Sequence, residues 1–382
     1  ASEPRRLLGR PAPEVVEAMQ PFFTELWGNA SSMHRFGGQM RRHVDIARAR
    51  VAALIGADPS EIVFTSCGTE SNNMAIRGAV EAADEPVQII TSRVEHPAVL
   101  EPCRLFKERG LPVTELEVDS RGRISLDDLR LALARGRAVV SLMWANNETG
   151  VVFPIAEAAA LVKEAGGILH TDAVQAVGKL PLDVRRVPVD LLSLSGHKLH
   201  APKGIGALYI RRGTRLRPLL LGGHQEGGKR GGTENVPYIV ALGLASDLAA
   251  RSLDEERTRV AALRDRLQAG LLASCPDALV NGDPVDRLPN TLNISFQYIE
   301  GESILYHLSD AGIAASSGSA CTSGSLEPSH VIRAMGVPFM AAHGSIRFSL
   351  SRYTTAAEID CVLEKLPPIV RTLRAISPFS GS

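Results

Sequence analysis

The alternation of short apolar runs with longer amphipathic stretches is the feature that most constrains the fold of this 382-residue chain. Between about Glu61 and Asp172, brief segments rich in valine, isoleucine and threonine are separated by segments with the apolar spacing of helices. Strands that are apolar on both faces must be covered on both faces, and helices between successive strands supply that cover. The pattern therefore predicts an α/β fold with a mostly parallel sheet.

The rest of the chain predicts a second, smaller unit. Two runs, Val189–Ser195 and Gly206–Arg211, are too close for a helix between them, so we expect a hairpin-like return at the edge of the sheet. A long helical region follows from about Val236 to Ala273, and the later strands and helix have an α+β order. We therefore expect a large α/β domain over residues 11–240 and a smaller α+β domain over residues 241–382. The first helix, near Pro13–Thr24, joins either domain or bridges them.

Composition excludes several classes of function. Lysine plus arginine equals aspartate plus glutamate at 42 each, so there is no strong basic field to attract nucleic acid or an anionic membrane. No apolar run has the length of a transmembrane helix, and the first residues lack the apolar stretch of a signal peptide, so we expect a cytoplasmic protein. The cysteines are odd in number, scattered and without metal-ligand spacing, which predicts neither a disulfide framework nor a metal site. They are Cys67, Cys103, Cys275, Cys321 and Cys361.

The strongest chemical signal is Lys198, in a Ser-Gly-His-Lys sequence that ends an apolar run. The carboxyl ends of strands in α/β sheets are where ligands bind, and a partly desolvated amine is what a Schiff base with an aldehyde cofactor requires. Asp172 ends another apolar run, where a buried carboxylate would suit a protonated pyridine nitrogen. Taken singly, Lys198 is better explained as a solvated loop lysine and Asp172 as a helix N-cap. The two together indicate a cofactor site.

Three further strand ends carry polar residues. Gly68 and Thr69 join a strand to a helix, a junction that binds phosphate through free N–H groups and also occurs as an ordinary helix start. His96, followed by a proline, is placed to stack on an aromatic cofactor and move protons, although a lone histidine is more often structural. Asn147 can hold a substrate carboxylate or simply form a turn.

Cys321 and Arg347 are the candidates in the second domain. Cys321 lies in a run of serine, glycine, alanine and threonine that cannot pack well, so we expect a loop that lets the thiol swing; an exposed structural cysteine is the alternative. Arg347 is placed on a predicted strand, and its planar guanidinium suits a carboxylate or a structural ion pair.

Together these segments resemble the NifS/IscS cysteine desulfurases, in the class-V aminotransferase group of pyridoxal-phosphate enzymes with fold type I. The resemblance runs from about Pro11 to the C-terminal region, with the motifs in order and at family-like spacing. It implies that L-cysteine is converted to alanine while sulfur passes to Cys321 as a persulfide. A selenocysteine lyase or another class-V enzyme is the nearest alternative, and a non-catalytic scaffold with the same fold is a more distant one.

The resemblance also implies roles for individual residues. Lys198 is similar to the lysine that binds the cofactor covalently, Asp172 to the partner of the pyridine nitrogen, and Gln175 to the residue that bonds the ring hydroxyl. His96 is similar to the stacking histidine. The family's phosphate binders are matched by Gly68, Thr69, Ser195, His197 and Thr233. The residues that hold the substrate carboxylate are matched by Asn147 and Arg347, and the sulfur-accepting nucleophile is matched by Cys321. Because the family's equivalent of Thr233 serves the other subunit, the match implies a homodimer with shared active sites.

Three segments, at residues 143–150, 232–235 and 323–330, are more similar to NifS of nitrogen-fixing bacteria than to IscS. This implies a NifU-type iron–sulfur scaffold as the sulfur acceptor and a place in nitrogenase maturation. The resemblance stops before Pro11, where residues 3–9 replace the family's Tyr-Leu-Asp-Asn-Asn-Ala-Thr-Thr. Two arginines are poorly suited to a packed position beside a bound amino acid. We therefore expect Glu3–Gly9 to be displaced or disordered rather than to occupy the family's position, and cysteine turnover to be impaired.

Overall fold

The computed structural model of the protein describes residues 10–317 and 327–378. Cys321 and the segment Glu3–Gly9 lie outside these ranges, so the expectations for both stay predictions.

The larger sheet has seven strands in the order β1-β7-β6-β5-β4-β2-β3. Its strands are β1 Ile62–Thr65, β2 Gln88–Ser92, β3 Val113–Leu116, β4 Ala138–Ser141, β5 Ile168–Asp172, β6 Leu191–Ser195 and β7 Gly206–Ile210. The strands from β3 to β6 pair in parallel, while β7 runs antiparallel to both β6 and β1. The predicted mostly parallel α/β sheet is therefore present.

The predicted return at Gly206–Arg211 is antiparallel, but its place at the sheet edge was wrong. Strand β7 lies between β6 and β1, and all five of its residues are buried. Gly206 pairs with Thr65, and a Cβ at Gly206 would come within 2.8 Å of the Cys67 backbone. An interior strand needs hydrogen-bond partners on both sides, and β1 supplies the second set.

Helices cover both faces of this sheet. Those in the first two thirds of the chain are α1 Pro13–Met19, α2 Pro21–Thr24, α3 Arg35–Ile55, α4 Gly68–Glu81, α5 Pro97–Glu108, α6 Leu126–Leu133, α7 Ile155–Glu164 and α8 Val236–Arg251. On one face α1, α3, α7 and α8 pack into the largest apolar core, and on the other α4 and α5 form two smaller clusters. The first helix thus packs in the large core, against α8.

The predicted long helical region after Val236 is broken rather than continuous. Helix α8 ends at Arg251, and the chain continues through α9 Leu253–Glu255, a π-helical turn Glu256–Val260 and α10 Ala261–Ser274. The two halves are bent by 57°. Buried residues of α8 as far as Ala249 belong to the large core, whereas Val260 and the buried leucines of α10 belong to a second core. The boundary predicted after residue 240 stays a prediction.

The second core forms around a four-stranded antiparallel sheet in the order β10-β11-β9-β8. Its strands are β8 Ala278–Val280, β9 Thr291–Phe296, β10 Ser316–Ser317 and β11 Ser345–Ser349, and the helices of this part are α11 Gly301–Asp310, α12 His330–Ala334, α13 Phe339–His343 and α14 Ala356–Ile376. The α+β character predicted for the C-terminal part is therefore observed.

No single helix in the described ranges has both the length and the apolar character needed to cross a membrane. The bent pair Val236–Arg251 and Leu253–Ser274 meets the criteria of length and composition only when its two members are taken together.

Candidate functional site

A cavity of about 540 Å³ opens where the strands of the large sheet end. Ten of the residues singled out from the sequence line it: Gly68, Thr69, His96, Asn147, Asp172, Gln175, Ser195, His197, Lys198 and Arg347. Thr233 does not line this cavity and is exposed on the surface. Cys321 lies outside the described residues. The structure thus gathers side chains from both sheets around one space.

Lys198 lies in the short connection between β6 and β7. A 3₁₀ turn over Gly196–Leu199 carries it, and the side chain is half-buried against the cavity. Gly196 lets this turn pack closely, since a Cβ there would meet Ile205 at 2.7 Å. The amine therefore enters the cavity from a rigid turn at the end of a buried strand.

Asp172 is a buried carboxylate at the end of β5. Its Oδ1 accepts a hydrogen bond from the Val174 amide at 3.0 Å, and its Oδ2 accepts one from the Asn72 side chain at 2.7 Å. Burial raises the pKa of Asp172, while these hydrogen bonds and the nearby titratable groups His96 and Lys198 oppose the rise. A cation placed in the cavity would therefore stabilise the ionised form of this buried carboxylate.

Asn72, the donor to Asp172, was not among the residues singled out from the sequence. It is buried on α4, three residues after Thr69, and so lies on the same helical face. Its Oδ1 is buried and has no hydrogen-bond partner within the described part of the chain. A pair of polar residues, Ser71 and Asn72, on the buried side of α4 was the signal that could have identified it.

The start of α4 faces the cavity. The helix begins at Gly68, and in the described structure its N-cap residue Cys67 makes no side-chain capping bond. Free N–H groups and the positive end of the helix dipole favour an anion at this point. A Cβ at Gly68 would meet Val174 at 2.8 Å, so only glycine fits the junction without displacing its neighbour.

Ser195 and His197 form a pair beside this helix start. The Ser195 Oγ and His197 Nδ1 are 2.8 Å apart, and either atom can donate, depending on the tautomer. Burial, followed by the charge of Lys198, lowers the pKa of His197 to about 4. The imidazole is therefore neutral near pH 7, and this pair presents polar groups to the cavity without adding a charge.

His96 caps α5 with its own ring. Its Nδ1 accepts a hydrogen bond from the Ala98 amide at 3.0 Å, and Pro97 occupies the first turn of the helix. Burial lowers the pKa of His96 in spite of the charge on Asp172, so the ring is neutral near pH 7. A neutral ring that accepts at Nδ1 carries its proton on Nε2. In this arrangement His96 is a hydrogen-bond donor.

Arg347 and Asn147 contact each other in the lining of the cavity. Arg347 lies on β11, paired with Asn293 and Ser316, and its Nη1 donates to the Asn147 carbonyl at 2.7 Å. The Asn147 Oδ1 is buried without a hydrogen-bond partner among the residues that the structure describes. A guanidinium beside a side-chain amide with remaining hydrogen-bonding capacity is suited to bind the carboxylate of a small ligand.

Glu95, next to His96, is completely buried. Its Oε1 accepts from the Ser92 hydroxyl at 2.8 Å and from the Met143 amide at 2.9 Å. Burial raises the pKa of Glu95 to about 8, and the nearby charge of Asp172 adds to the rise. The sequence alone did not distinguish this glutamate from an exposed one.

Glu95 predicts a pH-dependent stability. Below pH 4.5, both the folded and the unfolded protein hold its proton; above it, the unfolded chain releases the proton and the folded protein retains it up to about pH 8. Stability is therefore lost as pH rises through this window, by up to about 5 kcal/mol at 1.36 kcal/mol per pKa unit. We expect Glu95→Gln to lose less stability than the wild type between pH 5 and pH 8 in urea titrations. Equal losses would contradict this, and the exposed Glu101→Gln is the control.

Within residues 10–317 and 327–378, no three histidine, cysteine, aspartate or glutamate side chains are grouped so as to hold a metal ion.

Comparisons with known proteins identify similar chains over nearly the whole length. The sequence profile of the aminotransferase class-V family matches residues 10–362. The cysteine desulfurase of Nostoc sp. is 60% identical over 369 residues, which cover 97% of this chain and 92% of that protein. The cysteine desulfurase NifS of Azotobacter vinelandii is 58% identical over 367 residues, covering 96% and 91%. A solved structure described as a NifS-like protein superimposes with a TM-score of 0.89 at 38% identity, covering 96% of this chain and 98% of that one.

Proposed function

The chain belongs to the aminotransferase class-V family, and from that premise we propose that it is a pyridoxal 5′-phosphate-dependent cysteine desulfurase, which converts L-cysteine to alanine. The relatives named cysteine desulfurase support this activity, because they are 55–61% identical over almost the full chain. The observation that carries the proposal is the placement of buried Asp172 and half-buried Lys198 in one cavity.

The cavity fits pyridoxal 5′-phosphate at both ends of the molecule. At one end, Asp172 is a buried carboxylate with a raised pKa, which a protonated pyridine nitrogen would stabilise in its ionised form. At the other, the start of α4 and the Ser195–His197 pair offer donors to a phosphate. Lys198 would hold the cofactor through its amine, and Gln175 lines the cavity one turn beyond Asp172. When bound, the cofactor supplies an electron sink for the substrate's α-carbon.

Lys198 moves the α-proton of the substrate. Once L-cysteine occupies the cavity, the lysine amine accepts this proton at Nζ and later returns it. The 3₁₀ turn that carries the lysine limits the positions that Nζ can reach, and this favours proton transfer in a single geometry.

His96 begins the reaction as a neutral donor through Nε2. Its Nδ1 is occupied by the Ala98 amide, so accepting a proton from the substrate thiol requires that this hydrogen bond first be released. We therefore assign His96 two functions: it covers the cofactor ring, and it exchanges a proton with the thiol after the ring has rotated or separated from Ala98.

Arg347 and Asn147 bind the carboxylate of L-cysteine. The guanidinium is held by the Asn147 carbonyl, so it is oriented before a ligand arrives. Such preorganisation lowers the entropic cost of binding.

Cys321 receives the sulfur. Its thiolate attacks the sulfur of the bound substrate; the new S–S bond forms as the Cβ–S bond breaks, and the electron pair stays with the substrate carbon. A proton then completes alanine, and the sulfur remains on Cys321 as a persulfide. The assignment is supported by the family motif around Cys321 and by the burial of Cys103 and Cys275.

The proposed enzyme is a homodimer in which Thr233 reaches the phosphate of the partner subunit. The loop before Thr233 is firmly attached: the Glu226 carboxylate accepts two hydrogen bonds from Arg48, at 2.6 and 2.8 Å, and one from the Phe64 amide at 2.9 Å. Arg230 binds Glu70 at 2.9 Å. A fixed loop that ends in an exposed threonine is suited to contact a second subunit.

The proposed acceptor is a NifU-type iron–sulfur scaffold in the cytoplasm, with nitrogenase maturation as the downstream use of the sulfur. This is supported by the 58% identity to the Azotobacter vinelandii NifS and by the NifS-like motifs at residues 143–150 and 232–235.

A direct assay tests the activity. The protein, loaded with pyridoxal 5′-phosphate, is incubated with L-cysteine, and alanine and protein-bound sulfane sulfur are measured. We expect both products in a 1:1 ratio during the first turnover. A cofactor-loaded protein that released no alanine would contradict the proposal, and a large preference for L-selenocysteine would favour the lyase alternative.

The segment at residues 3–9 gives a further prediction. Immediately after it, the Ala12 amide donates to the His200 carbonyl at 2.8 Å, and the Arg10 carbonyl and His200 Nδ1 are 3.1 Å apart. His200 lies two residues after Lys198. Replacing residues 3–9 with Leu-Asp-Asn-Asn-Ala-Thr-Thr is expected to raise kcat/KM for cysteine about tenfold through better positioning of the reacting atoms, without changing cofactor content. An unchanged kcat/KM would show that the segment is irrelevant to catalysis.

A further inference from the structure

The wall of the cavity next to Arg347 is formed in part by residues 327–330, which lead into the first residue of α12. Two hydrogen bonds attach this wall to the large core. The Ser329 hydroxyl donates to the Glu148 carboxylate, and the His330 Nε2 donates to the Glu95 carbonyl at 2.9 Å. Ser329 and Glu148 are 5% and 4% exposed, so water does not compete effectively for their contact.

The Ser329 hydroxyl both donates and accepts hydrogen bonds. Besides donating to Glu148, its Oγ accepts from the Val331 amide at 3.1 Å and from the Ile332 amide at 3.5 Å, which caps α12. A hydroxyl has one proton to donate and two lone pairs. The hydrogen bond to Glu148 therefore directs the hydroxyl proton of Ser329 towards the carboxylate. This leaves the lone pairs of the same oxygen directed at the amides that it caps.

The backbone of Glu148 is hydrogen-bonded to side chains from both parts of the chain. Its amide donates to the Asn146 Oδ1 at 2.9 Å, and its carbonyl accepts from the Asn293 side chain on β9 at 3.2 Å. The preceding residue, Asn147, supplies the carbonyl that binds Arg347. The acceptor for Ser329 is thus fixed relative to the two residues that we assign to the substrate carboxylate.

We propose that Glu148 is a positioning residue for substrate binding, because the hydrogen bond that it accepts from Ser329 holds the wall at 327–330 beside Arg347. The role rests on the proposed function, in which Arg347 and Asn147 bind L-cysteine. Burial raises the pKa of Glu148 to about 7, and the Ser329 hydrogen bond and the Arg347 charge oppose that rise. Accepting a hydrogen bond requires only an oxygen at this position, so a glutamine should serve almost as well.

The test is a double-mutant cycle on KM. Glu148→Met removes the acceptor and keeps the approximate volume, Ser329→Ala removes the donor, and each is expected to raise KM for L-cysteine about tenfold, with kcat within about twofold. The double variant should be no worse than either single one, and Glu148→Gln should stay within about threefold of the wild type. Glu164→Gln, at an exposed position of α7, is the matched control.

A measurement without turnover separates this role from the proposed activity. Hydrogen exchange of the Val331 and Ile332 amides, followed in the cofactor-loaded protein without cysteine, should be faster in Glu148→Met and unchanged in Glu164→Gln. Additive effects on KM, equal effects of methionine and glutamine, or unchanged exchange would each overturn the assignment. If the wild type released no alanine, the proposed function would fail, while the exchange rates would still decide whether Glu148 holds Ser329.

Discussion

Replacing Lys198 with alanine is expected to reduce alanine release from L-cysteine by about 10⁴-fold or more, because one side chain supplies both the attachment of the cofactor and the carrier of the α-proton. The fold should survive. Lys198 lies half-buried on the cavity side of its turn, whereas the packing of that turn depends on Gly196 and Leu199, which are buried. Alanine release, far-ultraviolet circular dichroism and retained cofactor are the measurements.

Lys203→Ala is the matched control, since Lys203 is exposed and lies five residues farther along the chain. It should retain wild-type turnover. A Lys198→Ala variant that released alanine at an undiminished rate would show that the lysine was wrongly assigned. A variant that lost its secondary structure would show that the turn depends on the amine, contrary to its placement beside the cavity.

Replacing Cys321 with alanine is expected to abolish the protein persulfide completely, because no second thiol is assigned to the reaction. Cofactor binding should be unaffected, since the residues that line the cofactor cavity remain. The measurement is mass spectrometry of the intact protein and its peptides after a pulse of L-cysteine.

The other cysteines differ in their access to the substrate. Cys103 is 2% exposed and burial raises its pKa to about 12, so it holds almost no thiolate at neutral pH. Cys275 is equally buried. Cys67 is the stringent control, because it lines the same cavity as Lys198. Sulfane sulfur found on Cys67 in the Cys321→Ala variant, or on any of these cysteines in the wild type, would contradict the assignment.

The fold class, and the meeting of several candidate residues at one cavity, could be predicted because each signal is local. Lys198, Asp172 and His96 each follow an apolar run, and the carboxyl ends of parallel strands meet at one edge of a sheet. The family match confirmed the predicted family and fold. The roles of the individual residues remain predictions, as does the nucleophilic role of Cys321, which lies outside the described residues.

The residues that support the site were not predictable in this way. Asn72 reaches Asp172 across 100 residues, and Ser329 reaches Glu148 across 181. Such contacts depend on the rotation of a helix and the register of a strand, both of which are set by packing between cores. The position of β7 was missed for a related reason: two neighbouring runs predict that the strands pair, but the partner on the other side comes from β1, more than 130 residues earlier.

The hydrogen bond between Arg347 and Asn147 joins the two sheets of the molecule, because β11 belongs to the small antiparallel sheet and Asn147 follows β4 of the large one. A carboxylate bound by both residues becomes a removable cross-link between the two halves of the chain. Arrival of cysteine would then add a second link to the hydrogen bond that already joins the halves, and departure of alanine would remove that added link. Substrate occupancy and mechanical stiffness would rise and fall together in each catalytic cycle.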